Sequence, residues 1–68
     1  MVPGYKQART HPLIMAVAHN FADYYGARED FDSELARAAR MWTFAVDRIA
    51  FRSLANEYAG RIIVAVTR

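Results

Sequence analysis

The chain contains no cysteine, so it can form neither disulfide bonds nor a thiolate zinc site. Histidine is also scarce: only His11 and His19 are present, too few for an all-histidine metal cage. A chain of 68 residues buries a small core, and such domains usually gain stability from disulfides, a metal ion or self-association. Self-association is the one supplement left, and we therefore expect a homodimer.

Long apolar runs and a strong charge of one sign are missing as well. No segment approaches the roughly 20 apolar residues that a membrane span requires, and Leu13–Ala18 is too short for the core of a secretory signal. The formal net charge of +2 is low for a protein that binds nucleic-acid phosphates. These absences predict a cytoplasmic protein that does not bind membranes.

What remains is typical of a folded, mainly α-helical domain, because 54% of the residues are apolar and 13% are aromatic. We expect a single domain over residues 1–68, beginning with a flexible N-terminal arm (1–9) that contains the turn signal Pro3-Gly4. A short helix over about 11–25 is predicted next. Thr10 would cap this helix, Pro12 would lie in its first turn, and Gly26 would end it in a left-handed conformation.

A long second helix is predicted over about 31–59, so that residues 10–60 would form a helical hairpin. Carboxylates follow the expected cap Asp30, and no glycine or proline interrupts the chain before Gly60. A break near Ser53 is an open alternative. The C-terminal segment 61–68 is rich in β-branched residues, which favours a short β-like strand over 61–67. The competing interpretation is a third helical piece.

The long predicted helix carries two apolar stripes at helical spacing. The stripe expected to pack on the first helix contains Phe31, Leu35, Ala38, Trp42, Val46 and Ile49. The second stripe is expected to form an interface and contains Phe44, Phe51, Leu54 and Tyr58. Its aromatic residues recur every seven positions, as in a seam between helices. One short neighbour cannot cover both stripes, so the second predicts a homodimer seam. The alternatives are cover by the C-terminal segment or a docking surface for another protein.

Four arginines on the same predicted helix indicate a basic partner-binding face. They are Arg37, Arg40, Arg48 and Arg52, and guanidinium groups bind phosphates and carboxylates well. The competing interpretation is a solvated helix face with local ion pairs, such as Glu34 with Arg37.

Catalytic and metal-binding patterns are weak. His19 and Asp23 share a helical face but have no third ligand at a usable spacing, so we expect a solvated pair. The carboxylates from Asp30 to Glu34 resemble a calcium loop, yet Leu35 stands where that loop requires glycine. We therefore expect no enzyme activity, no cofactor and no metal ion.

The sequence thus predicts a small non-enzymatic interaction protein that binds and modulates a protein partner, as phage or mobile-element inhibitors and adaptors do. The alternative is a nucleic-acid-binding transcriptional regulator that uses the arginine face.

Overall fold

The computed structural model describes residues 4–67, with side chains described as far as residue 62. Within that part of the chain the protein is mainly α-helical, as predicted, and contains no strand. Its helices are α1 (Tyr5–Arg9), α2 (Pro12–Tyr25), α3 (Phe31–Ala39) and α4 (Ala45–Thr67).

Helix α2 confirms the predicted helix over about 11–25, but its first turn is capped differently. His11 is the N-cap residue, and its Nδ1 accepts a hydrogen bond from the backbone N–H of Leu13 at 3.2 Å. The prediction that Thr10 caps this helix was wrong. The Thr10 hydroxyl instead donates to the carbonyl oxygens of Lys6 and Gln7, at the end of α1.

The predicted flexible arm is a helix where the structure describes it. Residues 1–3 lie outside the described residues, and the next residues lead into α1. Ala8 of α1 is 4% exposed and belongs to the core, because α1 packs against α4. A five-residue helix is too short to be stable alone, so this contact with α4 is what orders it.

The predicted long helix over 31–59 is interrupted, so the simple hairpin does not form. Helix α3 ends at Ala39, and α4 begins at Ala45. The intervening backbone N–H groups of Arg40, Met41 and Trp42 bond to carbonyl oxygens three residues earlier, which closes α3 with a tight turn. The segment includes tryptophan, threonine and phenylalanine, whose helix propensities are low. This interruption lets the chain fold back, so that both α3 and α4 reach the same core.

The C-terminal prediction was also wrong. The segment 61–67 is the last part of α4 and not a β-like strand, and the possible break near Ser53 does not occur. A lone strand would need a partner for its backbone groups, whereas a helix pairs them internally. Residue 68 lies outside the described residues.

Helices α2 and α4 approach closely because small residues line their contact. They run in roughly the same direction, since His11 lies beside the start of α4 and Gly26 packs against Ala59. Gly26 is right-handed (φ −55°, ψ −34°), so the predicted left-handed cap is wrong. A Cβ atom on Gly26 would overlap the Ala22 carbonyl oxygen and would lie in ordinary contact with the Ala59 Cα, 3.5 Å away. The position of the Ala22 carbonyl oxygen, one turn earlier in the chain, therefore explains this glycine better than an unusual backbone conformation.

Phe51 occupies the centre of the core and is 0% exposed. Its ring centroid lies 5.8 Å from those of both Phe21 and Trp42, which come from α2 and from the α3–α4 connection. Helix α3 adds the buried side chains of Leu35 and Ala39 to the same cluster. All three longer helices therefore meet around this one ring.

Candidate protein-binding groove

An apolar groove lies where the α1–α2 junction faces the start of α4. Its volume is about 730 Å³. The lining residues come from two separate stretches of chain: Gln7, Ala8, His11, Phe44, Ala45, Val46 and Asp47. Asp47 is the one residue with a formal charge at neutral pH among them. A groove with mainly apolar walls and few polar groups suits an apolar side chain better than a charged ligand.

The groove has an exposed large apolar side chain in its lining and a second one nearby in the chain. Phe44 is 68% exposed and Met41, three residues earlier, is 58% exposed. We refer to the groove together with Met41 and Phe44 as the Phe44 surface. Exposed apolar side chains beside a groove are typical of interaction sites.

The α3–α4 connection holds Phe44 in this exposed position. The Phe44 carbonyl oxygen accepts the backbone N–H of Arg48 at 3.1 Å, so Phe44 immediately precedes the first turn of α4. The Arg48 guanidinium then donates through Nε to the Trp42 carbonyl oxygen at 3.0 Å and through Nη2 to the Thr43 carbonyl oxygen at 3.1 Å. These bonds fix the connection while Trp42 packs inward and Phe44 remains outside.

A polar network secures the α1 wall of the groove against α4. Arg9 forms an ion pair with Glu57 and also donates to the Ser53 hydroxyl oxygen, while the Tyr5 hydroxyl donates to the same Ser53 oxygen at 2.7 Å. Arg61 pairs with the other Glu57 oxygen at 2.9 Å. The sequence analysis missed this network, because it treated residues 1–9 as an arm.

The hydrogen bonds of this network change the acid–base properties of its members. The hydrogen bond from Arg9 lowers the pKa of Glu57 from 4.5 by stabilising the carboxylate, and the charges of Arg9 and Arg61 act in the same direction. The hydrogen bond with Ser53 lowers the pKa of Tyr5, and Arg9 adds to that effect. The pKa of Arg9 is raised by its hydrogen bonds with Tyr5 and Glu57. At neutral pH, therefore, Glu57 and Arg9 are charged, and the ion pair is formed.

The structure separates the residues predicted to form an interface seam. Phe51 and Leu54 are buried inside the chain, and Tyr58 is half-buried against the same core. Phe44 alone of the four is exposed. Assigning Phe51 and Leu54 to an intermolecular seam was therefore wrong, because the side of α4 that carries them faces α2 of the same chain. The interrupted helix is the reason, because it changes which side of α4 meets the core.

The stripe predicted to pack on the first helix is divided as well. Leu35 is buried, and Phe31, Ala38, Trp42 and Val46 are partly buried against the core. Ile49, however, is 58% exposed. Residues before and after the interruption do not share one helical axis, so a single stripe cannot describe them.

The predicted arginine face does not form on one helix. Arg37 lies on α3, with Nη1 3.8 Å from a carboxylate oxygen of Glu34, and Arg40 is the C-cap residue of that helix. Arg48 and Arg52 lie on α4, and Arg48 is occupied by the α3–α4 connection. The local pairing of Glu34 with Arg37 agrees with the interpretation of a solvated helix face.

His19 and Asp23 form an exposed pair on α2. His19 Nδ1 lies 3.2 Å from a carboxylate oxygen of Asp23, and the imidazole ring packs edge-on against Tyr58 with centroids 5.2 Å apart. Within the described part of the chain, no third histidine or carboxylate joins them in a group that could hold a metal ion. The pair has the local, solvated character expected from the sequence.

The described residues include no helix with the length and apolar character needed to cross a bilayer. No protein-family model, curated protein or solved structure matches this chain.

Proposed function

We propose that this chain is a small non-enzymatic interaction protein that binds another protein molecule through the Phe44 surface. The observation that carries the proposal is an apolar groove of about 730 Å³ directly beside a phenylalanine that is 68% exposed. Large apolar side chains exposed beside a groove are costly to leave in water, and binding a partner would remove them from it.

The surface also has the composition of a protein interface. Its apolar part combines an aromatic ring, a methionine and small side chains, and aromatic residues and methionine are enriched in the buried centres of interfaces. The bonds of Arg48 to the Trp42 and Thr43 carbonyl oxygens hold the connection that carries Phe44. Such a prearranged surface loses less conformational entropy when it binds.

Modulation of the bound partner, in the manner of a phage or mobile-element inhibitor or adaptor, extends the same proposal. The cytoplasmic location predicted from the sequence is also part of the proposal. The homodimer also stays a prediction, but its interface has to lie away from Phe51 and Leu54, which are buried within the chain.

Nucleic-acid binding through arginines is the less favoured alternative. Its basis in the sequence was a single helix face, whereas the arginines lie on two helices and Arg48 is engaged within the chain. Nucleic-acid binding of this kind would weaken steeply with salt concentration.

The test is affinity capture from an extract of the organism that encodes the chain, with the parent and two variants as baits. Phe44→Asp places a charge on the proposed surface. Tyr24→Asp is the matched control, because Tyr24 is also aromatic and is 66% exposed, but lies on α2 and outside the groove lining. Circular dichroism verifies that each bait is folded.

The proposal predicts proteins that the parent and Tyr24→Asp retain, that Phe44→Asp loses, and that remain bound after nuclease treatment. Identical retention by all three folded baits would show that the Phe44 surface is not the binding site. Loss of all bound proteins on nuclease treatment would favour the nucleic-acid alternative.

A further inference from the structure

We infer that the Phe44 surface binds the same surface of a second copy of the chain, in a two-fold symmetric dimer. In that dimer the Phe44 ring of each copy would enter the groove of the other. The inference rests on the proposed function, because it names the protein that the Phe44 surface binds.

The first argument is that the projecting group and the groove belong to one patch. Phe44 lines the groove and also exposes 68% of its surface beside it. In a two-fold dimer each subunit uses the same patch, so that patch must supply both a projection and a recess. A partner with only one of these features would leave either Phe44 or the groove uncovered.

The second argument is charge complementarity across the patch. Arg40 lies four residues before Phe44 and Asp47 lies three residues after it. Among residues 4–62, neither side chain has an ion-pair partner. Two copies related by a two-fold axis near Phe44 would place the segment before Phe44 of one copy against the segment after Phe44 of the other. Arg40 of each copy would then approach Asp47 of the other, giving two ion pairs of opposite charge.

Arg48, which directly follows Asp47 in the chain, is not available for that pairing. Its guanidinium already donates to the carbonyl oxygens of Trp42 and Thr43 within its own chain. Arg40, the C-cap residue of α3, is exposed. Of the two arginines that flank the α3–α4 connection, Arg40 is therefore the one that this arrangement offers to Asp47.

The first experiment measures self-association by sedimentation equilibrium over a series of protein concentrations. The parent and the control Tyr24→Asp are expected to associate to dimers with the same dissociation constant. Phe44→Asp is expected to raise that constant roughly tenfold or more, since a central aromatic residue carries much of an interface's affinity. Met41→Asp provides a second disruption of the same patch if Phe44→Asp does not fold.

The second experiment exchanges the charges. Asp47→Arg and Arg40→Asp are each expected to weaken the homodimer, because each variant places like charges at both contacts. An equimolar mixture of the two variants is expected to form a heterodimer, in which both contacts again join opposite charges. A variant that had simply lost its fold could not be rescued by mixing, so the mixture separates a defect in the interface from a defect in folding.

A parent that is monomeric at every concentration overturns the inference. So does a dimer that Phe44→Asp and Met41→Asp leave as stable as the parent, or a mixture that associates no better than its separate components. If the parent is monomeric but the baits still retain a different protein in a Phe44-dependent way, the proposed function stands and only the second copy is refuted.

Discussion

The two ends of the contact between α2 and α4 are closed in different ways. At one end, Gly26 and Ala59 bring the two backbones together, and Ala22 and Ala55 are fully buried between them. At the other end, the helices leave a groove of about 730 Å³, and Phe44 stands beside it in solvent. Small residues allow one end to seal within the chain, whereas the α1–α2 junction and the start of α4 leave a recess at the other end that a second molecule can fill.

The difference also separates two phenylalanines that look equivalent in the sequence. Phe44 and Phe51 are seven residues apart, a spacing that would place them on the same side of a continuous helix. Phe51 is 0% exposed and Phe44 is 68% exposed. Phe44 lies immediately before α4, whereas Phe51 lies two turns further along, where the rings of Phe21 and Trp42 pack against it.

The largest effect is expected from replacing Phe51 with alanine, and the same replacement at Phe44 is the comparison. Phe51→Ala should destabilise the fold by about 3–5 kcal/mol, because it leaves a cavity where α2, α3 and α4 meet. Phe44→Ala should change the stability of the monomer by no more than about 0.5 kcal/mol, as is usual for exposed positions. Urea denaturation, followed by circular dichroism at a protein concentration too low for association, compares them. Equal losses of stability would contradict the assignment of Phe51 to the core and Phe44 to the surface.

A smaller effect is expected at the sealed end. Gly26→Ala should destabilise the fold by about 1–3 kcal/mol, since its Cβ atom would overlap the Ala22 carbonyl oxygen. Gly60→Ala is the matched control: its Cβ would meet nothing within 4 Å, and alanine favours the helix over glycine by about 0.5–1 kcal/mol. The two glycine-to-alanine changes should therefore have opposite signs in thermal denaturation. A stabilising Gly26→Ala would show that the Ala22 carbonyl oxygen can move aside for the added methyl group.

The smallest effect concerns the polar network that holds α1 beside the groove. The pKa of Glu57 is lower in the folded chain than its ordinary value of 4.5, so the folded state binds this proton less tightly than the unfolded state. The charged Glu57 therefore contributes its full stabilisation of the folded state at pH values above 4.5, and this contribution is lost as the pH falls through the lowered pKa. Glu57→Gln should be less stable than the parent at neutral pH, and the difference should shrink in acid.

Urea denaturation midpoints of the parent and Glu57→Gln across this pH range measure that difference. Its size should be small, because the Arg9–Glu57 pair is partly exposed to solvent. A difference that does not change with pH would mean that Glu57 stabilises the fold by packing and not by its charge.

Much of the local structure could be predicted from the sequence. The helical spacing of apolar residues and Pro12 placed α2 within one residue of its observed start, and Asp30 was correctly expected at the N-cap of the next helix. The Asp30 side chain nevertheless pairs with Arg28 and makes no capping hydrogen bond. Apolar spacing and helix-start residues depend on positions close together in the chain and can therefore be recognised in the sequence.

The candidate site could be predicted only in part. Phe44 was expected at an interface, and it remains available for one. The groove and the Arg9–Glu57 pair could not be predicted, because they join residues about 33 to 48 positions apart through the docking of α1.

The sequence by itself determined that the chain is mainly helical, lacks disulfides and carries more large apolar side chains than one short helix can cover. Only the tertiary structure decided where the long helical segment is interrupted and which apolar residues become the core. Helical periodicity is a local property. Once a helix ends, the spacing of apolar residues no longer indicates which side of the next helix faces the core. Because α3 ends before α4 begins, Phe51 on α4 joins the cluster that also holds residues of α2 and α3, whereas Phe44 immediately before α4 stays exposed.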